Sequence, residues 1–244
     1  MLLMPTLSVD LAFKDYRDIG VVTLARLDGR IRASAVALTT RGLHGRPSAG
    51  GLADALVSLA NEIGAAWIFI DGPQGWKAPD NGVEHSRCCE RSLATQGKTG
   101  LPGVTKPGNY LEFITFAIEL FDALEKRNWP RLAAPAVPPL HRCAIESFPT
   151  SAWRSLGLVP LPGKAATAPE MVLARLQSLR AVFPLDVTDS LSHDELQALV
   201  AGLAGVALDD GNAAGVSIAG VPPKRLEGTW REGFIVNPTR KMLR

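Results

Sequence analysis

The sequence predicts an α/β fold, and three observations carry that prediction. Apolar Leu7, Val9 and Leu11 alternate with Ser8, Asp10 and Ala12, the period-two pattern of a strand. The run Trp67-Ile68-Phe69-Ile70 is short, apolar and partly β-branched, and Gly72-Pro73 follows it, so it suits a strand buried on both faces, as in a parallel pairing. Leu111, Ile114, Ile118, Phe121 and Leu124 then recur at helical spacing over residues 110–127.

The remaining elements follow in order. Residues 20–27 are rich in β-formers, Asp28-Gly29 is a hairpin turn signal, and residues 31–39 read as a third strand, giving an antiparallel meander over residues 6–40. Residues 42–51 read as a loop. Leu52, Leu56, Leu59 and Ile63 mark a helix that Gly64 stops. Residues 75–109 mix charges, glycines and prolines around one short helix near 87–95, and a loop this long is a candidate lid or substrate surface. A proline-rich connector over 130–139 leads to a short strand at 143–148, closed by Pro149. Three helices complete the chain. The first is short, at 151–156. The second carries Val172, Leu176, Leu179 and Phe183 behind a capping box of Thr167 and Glu170. The third starts at Ser192 with Glu195 as its capping partner and continues through Leu196, Leu199, Val200 and Leu203. We expect a single domain over residues 1–244, with a loop-rich insertion at about 74–109 and a basic extension at about 221–244.

Composition narrows the class. With 244 residues, 46% hydrophobic and 20% charged, the chain can bury one large core and is not expected to be disordered. No apolar run approaches the roughly 18 residues that cross a bilayer. The start, MLLMPTLSVDLAF, lacks a basic n-region, which argues against a secretory signal. Cys88, Cys89 and Cys143 form no disulfide framework and lack metal-ligand spacing, so a cytoplasmic protein is expected. A net charge of +2 points to no particular partner. Lys224, Arg225, Arg231, Arg240, Lys241 and Arg244 form a cationic end that reads first as a solvated face.

Four carboxylates are candidates for chemistry. Asp10 sits in mid-strand, where desolvating its charge costs several kcal/mol unless something compensates; an edge position would remove much of that cost. Asp71 ends an apolar strand, where open α/β sheets gather ligands, although a turn-former before Gly-Pro would look the same. Glu146 lies inside an apolar strand, as a site residue or an ion-pair partner of Arg142. Asp194 opens the last helix, where the dipole favours an acid in any case. Acidic residues on three separate strands are more telling together, because one bound cation relieves both their repulsion and their desolvation. Other signals are weaker. Gly97-Lys98-Thr99 lacks the earlier glycine and the preceding strand of a phosphate loop. Cys88 and Cys89 read as inert thiols. His85 and His193 could sit near the site but read first as surface histidines, and Trp76 and Tyr110 could stack bases or sugars but read first as packing residues.

In order and spacing, these motifs resemble the ribonuclease H-like superfamily and, within it, the DUF429 family of predicted nucleases. The resemblance is carried by Val9-Asp10-Leu11-Ala12, by Ile70-Asp71-Gly72-Pro73 with Gly75, and by Arg87 with Arg91. It continues through Glu146-Ser147-Phe148-Pro149 with Ala152-Trp153-Arg154, Lys164, and His193-Asp194 leading into Ala198-Leu199. It implies a mixed five-stranded sheet, an antiparallel meander plus two parallel strands, flanked by helices. It also implies Mg²⁺ or Mn²⁺ held by Asp10, Asp71 and Asp194 for phosphodiester hydrolysis, with Glu146 as a further ligand or water-positioning group. Arg87, Arg91 and Lys164 would meet phosphate. The implied partner is nucleic acid or a phosphorylated small molecule, with a homodimer compatible. The chain departs from the pattern at Gln197, where nucleases of the superfamily often carry a second acid, and at Cys89, where the family tends to an acid that Glu90 replaces only with a different side-chain direction. Gln197 keeps open a catalytically inactive module that binds nucleic acid or a protein. A phosphotransferase of the actin and sugar-kinase type would need a second such domain and glycine-rich phosphate loops.

Overall fold

The computed structural model describes residues 4–136 and 142–243. Its core is the expected meander: β1 (Thr6–Asp10), β2 (Gly20–Leu27) and β3 (Arg30–Ala35) pair antiparallel in succession. Asp28 and Gly29 both take positive φ, 50° and 75°, as the tight turn between β2 and β3 requires. The third strand is shorter than expected. It ends at Ala35, and a 3₁₀ turn over Leu38–Arg41 follows. Helix α1 (Ala49–Ile63) ends at Gly64 in the left-handed conformation. β4 (Trp67–Asp71) then pairs parallel to β1, buried on both faces as its composition demands.

The insertion holds α2 (Cys88–Ser92) and a small hairpin, β5 (Lys98–Thr99) with β6 (Thr105–Lys106). After it come α3 (Leu111–Glu125), β7 (Cys143–Ser147), α4 (Pro149–Ser155), α5 (Pro169–Arg180), β8 (Leu185–Asp186) and α6 (His193–Asp209). The connector reaches partly into residues 137–141, which lie outside the described residues. Ser192 and Glu195 form the expected capping box on α6. The box expected on α5 does not form. The helix starts one residue later, behind Ala168, and the Thr167 hydroxyl instead donates to the carbonyls of Pro162 and Gly163.

The sheet has eight strands rather than five, in the order β8-β3-β2-β1-β4-β7-β10-β9. Two of the additional strands are β9 (Val216–Leu226) and β10 (Thr229–Pro238), a hairpin in the segment expected to be a basic extension. Its turn, Glu227-Gly228, has φ of 52° and 76°. The basic residues there do not form one strip. Lys224 pairs with Asp80, the Arg225 guanidinium lies over the Trp230 ring, Arg231 is buried, and Arg240 donates to the carbonyls of Leu156 and Gly157. Glu232 and Gly233, both at positive φ, form a bulge in β10. The buried Glu232 carboxylate accepts from the Ala78 and Cys88 amides and from Asn81 Nδ2, which ties the insertion to the hairpin.

Helices cover both faces. Leu7, Val9, Ile68 and Ile70 pack with α1 and α3, while Val22, Leu24 and Ile31 pack with α5 and α6. The polar half of the β1 alternation is therefore also buried. Thr6 and Ser8 lie under α6, and their hydroxyls are buried without a protein hydrogen-bond partner. Glycines permit this contact. A Cβ on Gly202 would fall 2.7 Å from Ser8 Cβ, and one on Gly205 2.2 Å from Thr6 Oγ1. No helix of the described residues is long and apolar enough to cross a membrane.

Gly202→Val forces β1 and α6 apart and is expected to cost on the order of 2–3 kcal/mol in chemical denaturation. Ser8→Ala removes an unpaired buried hydroxyl from the same contact and is expected to be neutral or slightly stabilising.

Candidate functional site

Register builds the site. β1 and β4 are paired so that Asp10 lies opposite Asp71, and β4 and β7 so that Asp71 lies opposite Ser147. The pleat sends this row to the α6 side of the sheet, with Ser8 and Phe69, while Val9 and Ile70 face α1 and α3. On its other side Asp10 pairs with Gly20. A Cβ on Gly20 would sit 2.2 Å from the carbonyl carbon of Asp194, so only glycine lets the first turn of α6 settle here. That settling brings Asp194 to Asp10. Ligand atoms of Asp10, His193 and Asp194 lie within 4.8 Å of one another, the one such group of three or more among the described residues.

Each acid is in a different electrostatic state. Desolvation raises the Asp10 carboxyl well above the ordinary carboxylate range, and the charges of Asp71 and Asp194 push it further. Asp71 is raised to about 7, again chiefly by desolvation, with Glu146 adding to it. The two side chains interact directly, so they titrate as a pair and a proton taken up there belongs to both. Burial would raise Asp194 as well, but hydrogen bonds from His193 and Lys164 outweigh it and hold this group below its ordinary value. Lys164 Nζ reaches Asp194 at 2.5 Å and Asp18 at 2.9 Å. His193 places Nδ1 2.8 Å from Asp194 and Nε2 2.9 Å from the Pro162 carbonyl. Burial would lower the His193 imidazole, but both ring nitrogens face acceptors and these hydrogen bonds raise it above its ordinary value, so in the metal-free protein Nδ1–H is donated to Asp194. A cation would take the place of that proton on Nδ1, with Nε2–H still oriented from behind by the Pro162 carbonyl.

The other expected residues lie elsewhere. Glu146 is one residue short of the acidic row, opposite Ile70, and is buried against Arg87. Arg87 donates to both its carboxylate oxygens at 2.6 and 2.8 Å, and the Gln74 amide adds a third hydrogen bond. Arg87 also donates through Nε to Glu90, whose side chain turns inward to it, and is 1% exposed. Its fork is occupied within the protein. Arg91 is exposed on α2. Lys164 stands at the mouth of a small cleft lined by Asp10, Leu11, Lys14, Asp18 and Asp194. Gln197 accepts from Trp153 Nε1 at 2.8 Å, a structural use of the position where a further acid was expected. In the sequence His193 stands within the His193-Asp194 motif but reads first as a surface histidine, and Gly20 has no local signal that separates it from any strand-start glycine.

The donor set fits a divalent cation. Carboxylate oxygens suit Mg²⁺ and Mn²⁺, and an imidazole nitrogen favours the transition metal. Two carboxyls that share a proton when metal-free are also groups a cation would satisfy. Beside the cluster, Asp71 forms part of the wall of a cavity of about 440 Å³ between the strand ends and the insertion.

No protein-family model matches the chain, and no curated protein matches it. The resemblance to the DUF429 family therefore has only the sequence motifs behind it. A solved structure of RuvC from Thermus thermophilus is similar over 86% of this chain and 98% of its own length, with a TM-score of 0.39 and 11% identity. A likeness so distant says nothing of activity.

The raised carboxyls give a pH prediction. Their stabilising contribution is complete below the ordinary carboxylate range and is lost as pH rises through about 7, where Asp71 must ionise beside Asp10 and Glu146. Relative to Asp10→Asn, the metal-free protein should lose on the order of 2 kcal/mol between pH 5 and pH 8. For a chain of this size that is roughly 4–8 °C in Tm, and millimolar Mn²⁺ should restore it at pH 8.

Proposed function

We propose that the protein is a divalent-metal-dependent hydrolase of phosphodiester bonds, with Asp10, Asp71 and Asp194 as metal ligands and His193 as a fourth donor. The observation that carries this reading is the adjacent Asp10–Asp71 pair, whose two carboxyls are held close enough to share a proton beside an ionised Asp194. Purely structural carboxylates would not be selected into such a row, because burying like charges together is costly. The phosphodiester as substrate comes from the motif resemblance.

Each residue then has a defined task. Asp10 and Asp71 give up their shared proton and bind through oxygen. Asp194, already ionised, is oriented from one side by His193 and from the other by Lys164. A divalent cation held there would supply Lewis acidity to a phosphoryl oxygen and lower the pKa of attacking water. Lys164, half exposed and tethered to Asp18, is placed to meet a substrate phosphate. Asp71 belongs both to the acidic row and to the cavity wall, so its carboxylate can hold a water against substrate entering from the cavity. Glu146 and Arg87 support the strand ends from the opposite face and take no direct part.

One observation favours an inactive binding module instead. The Lys164 ammonium already neutralises Asp194, and Gln197 supplies no further charge. In that case millimolar Mn²⁺ would neither bind nor stabilise the protein, and nucleic-acid binding would remain salt-sensitive.

Asn mimics the protonated carboxyl, so Asp10→Asn and Asp71→Asn should fold normally. Each should lower Mn²⁺-dependent cleavage of a nucleic-acid substrate by roughly 100-fold or more, as expected for loss of a metal ligand. Cleavage retained by both purified variants would refute the assignment.

A further inference from the structure

The cavity beside Asp71 has a composition of its own. Four aromatic side chains from three parts of the chain line it, Phe13, Tyr110 with Phe113, and Phe148, and all four are only partly buried. Phe13, Tyr110 and Phe113 each rest on the core by one side and keep part of the ring open to the cavity. Phe13 and Phe113 meet with ring centroids 6.3 Å apart and planes tilted by 57°. The Tyr110 ring is seated on Gly97, where a Cβ would fall 2.7 Å from it, so that ring is held in place by backbone. Partly open aromatic faces in a concave site are a cost to the free protein and a gain once a flat ligand covers them.

Charge sets the orientation of such a ligand. The deep wall carries Glu90 and Glu146 against the single guanidinium of Arg87, a formal net charge of −1 already internally hydrogen-bonded. An anionic group is repelled from that end. At the other end, Phe13 and Lys14 line both this cavity and the cleft of Asp10, Lys164 and Asp194. The Lys14 ammonium lies 5.9 Å from the Phe13 ring centroid, so a cation and an aromatic face are offered together at the junction. A ligand spanning the two spaces has an anionic part at the lysines and a flat, apolar part among the rings. A nucleotide has that constitution. The volume, about 440 Å³, is within the roughly 300–1,000 Å³ range of small-ligand sites and takes one nucleotide, not a duplex.

We propose that this cavity receives an unpaired nucleobase of the substrate, stacked among Phe13, Tyr110, Phe113 and Phe148, with the adjoining phosphate between Lys14 and Lys164. The proposal deepens the hydrolase reading and rests on it for the position of the phosphate. It makes the substrate single-stranded, or locally unpaired, at the point of attack. Stacking tolerates any base, so strand state is selected more strongly than sequence.

The test uses Asp10→Asn protein, which removes cleavage, and oligonucleotides of DNA and RNA carrying one iodouracil, each single-stranded or in a duplex. Irradiation should crosslink the single-stranded probe to Tyr110, Phe113 or Phe148, and the duplex should bind at least roughly tenfold more weakly. Tyr110→Leu and Phe148→Leu keep apolar bulk while removing the ring. Each should lower single-strand affinity by roughly tenfold, as loss of one stacked base does, whereas Tyr110→Phe should not. Unchanged melting temperatures exclude a folding defect. The DNA and RNA arms identify the sugar, and competition by a nucleoside monophosphate but not by inorganic phosphate supports the base as the recognised group. Equal affinity for duplex and single strand, or leucine variants that bind as tightly as their parent, would overturn the proposal. If the leucine variants lose binding while wild-type protein shows no Mn²⁺-dependent cleavage, the base site stands and the hydrolase reading falls. Cleavage by wild type with undiminished binding by the variants is the converse.

Discussion

Parallel pairing of β1 with β4 in register is the constraint on which the rest of the site depends. It puts Asp10 directly beside Asp71 and gives neither carboxyl a basic partner in its own row. Two like charges one strand spacing apart cannot both stay ionised in a partly desolvated place without a counter-charge. The free protein meets that condition with a proton, and a cation would meet it differently. The neighbouring features follow. Asp194 carries its charge because His193 and Lys164 compensate it, while Glu146, on the other face, is held by a guanidinium that it shares with Glu90.

The second condition is close approach. α6 reaches the sheet through Gly20, Gly202 and Gly205, each facing atoms that leave no space for a side chain. Small residues in this contact give up buried apolar area and gain position: the first turn of the helix is set against the end of β1 instead of standing off by a side-chain diameter. Two hydroxyls on β1 go without partners as a result. The same contact holds the third carboxylate beside the first, so core packing and site geometry are one arrangement.

Much of this was legible in the sequence, for identifiable reasons. The alternation over 6–13, the apolar run at 67–70 and the capping box at Ser192 each record a local preference, and the corresponding elements formed. Asp10 stood out because a carboxylate is a poor strand residue, whatever its neighbours. Register was not legible. Glu146 and Ser147 differ by one position, and only the pairing of β7 with β4 decides which shares the row of Asp71. Arg87 has the side chain of a phosphate binder, and its sequence gives no sign that Glu146 and Glu90 will fill its fork. The hairpin β9–β10 was hidden by its charges. Lys224, Arg225 and Arg231 suggested a solvated tail, yet Glu227-Gly228 is a turn signal and Phe234-Ile235-Val236 an apolar run, and together they could have marked it.

The Glu232 anchor bears on how the protein is made. The Ala78 amide and the Glu232 carboxylate are separated by 154 positions, and Cys88 waits on the same side chain across 144. During synthesis at about 5–20 residues per second, the insertion emerges roughly 8–30 s before its fastening point is translated. Throughout that interval the meander can already pair and Arg87 can already reach Glu90 and Glu146, but residues 78–88 lack the carboxylate that fastens them to the sheet. Assembly of the molecule is in this sense vectorial: a ribosome stalled before codon 232 would hold a chain whose acidic strands can pair while residues 78–88 still wait for their fastening.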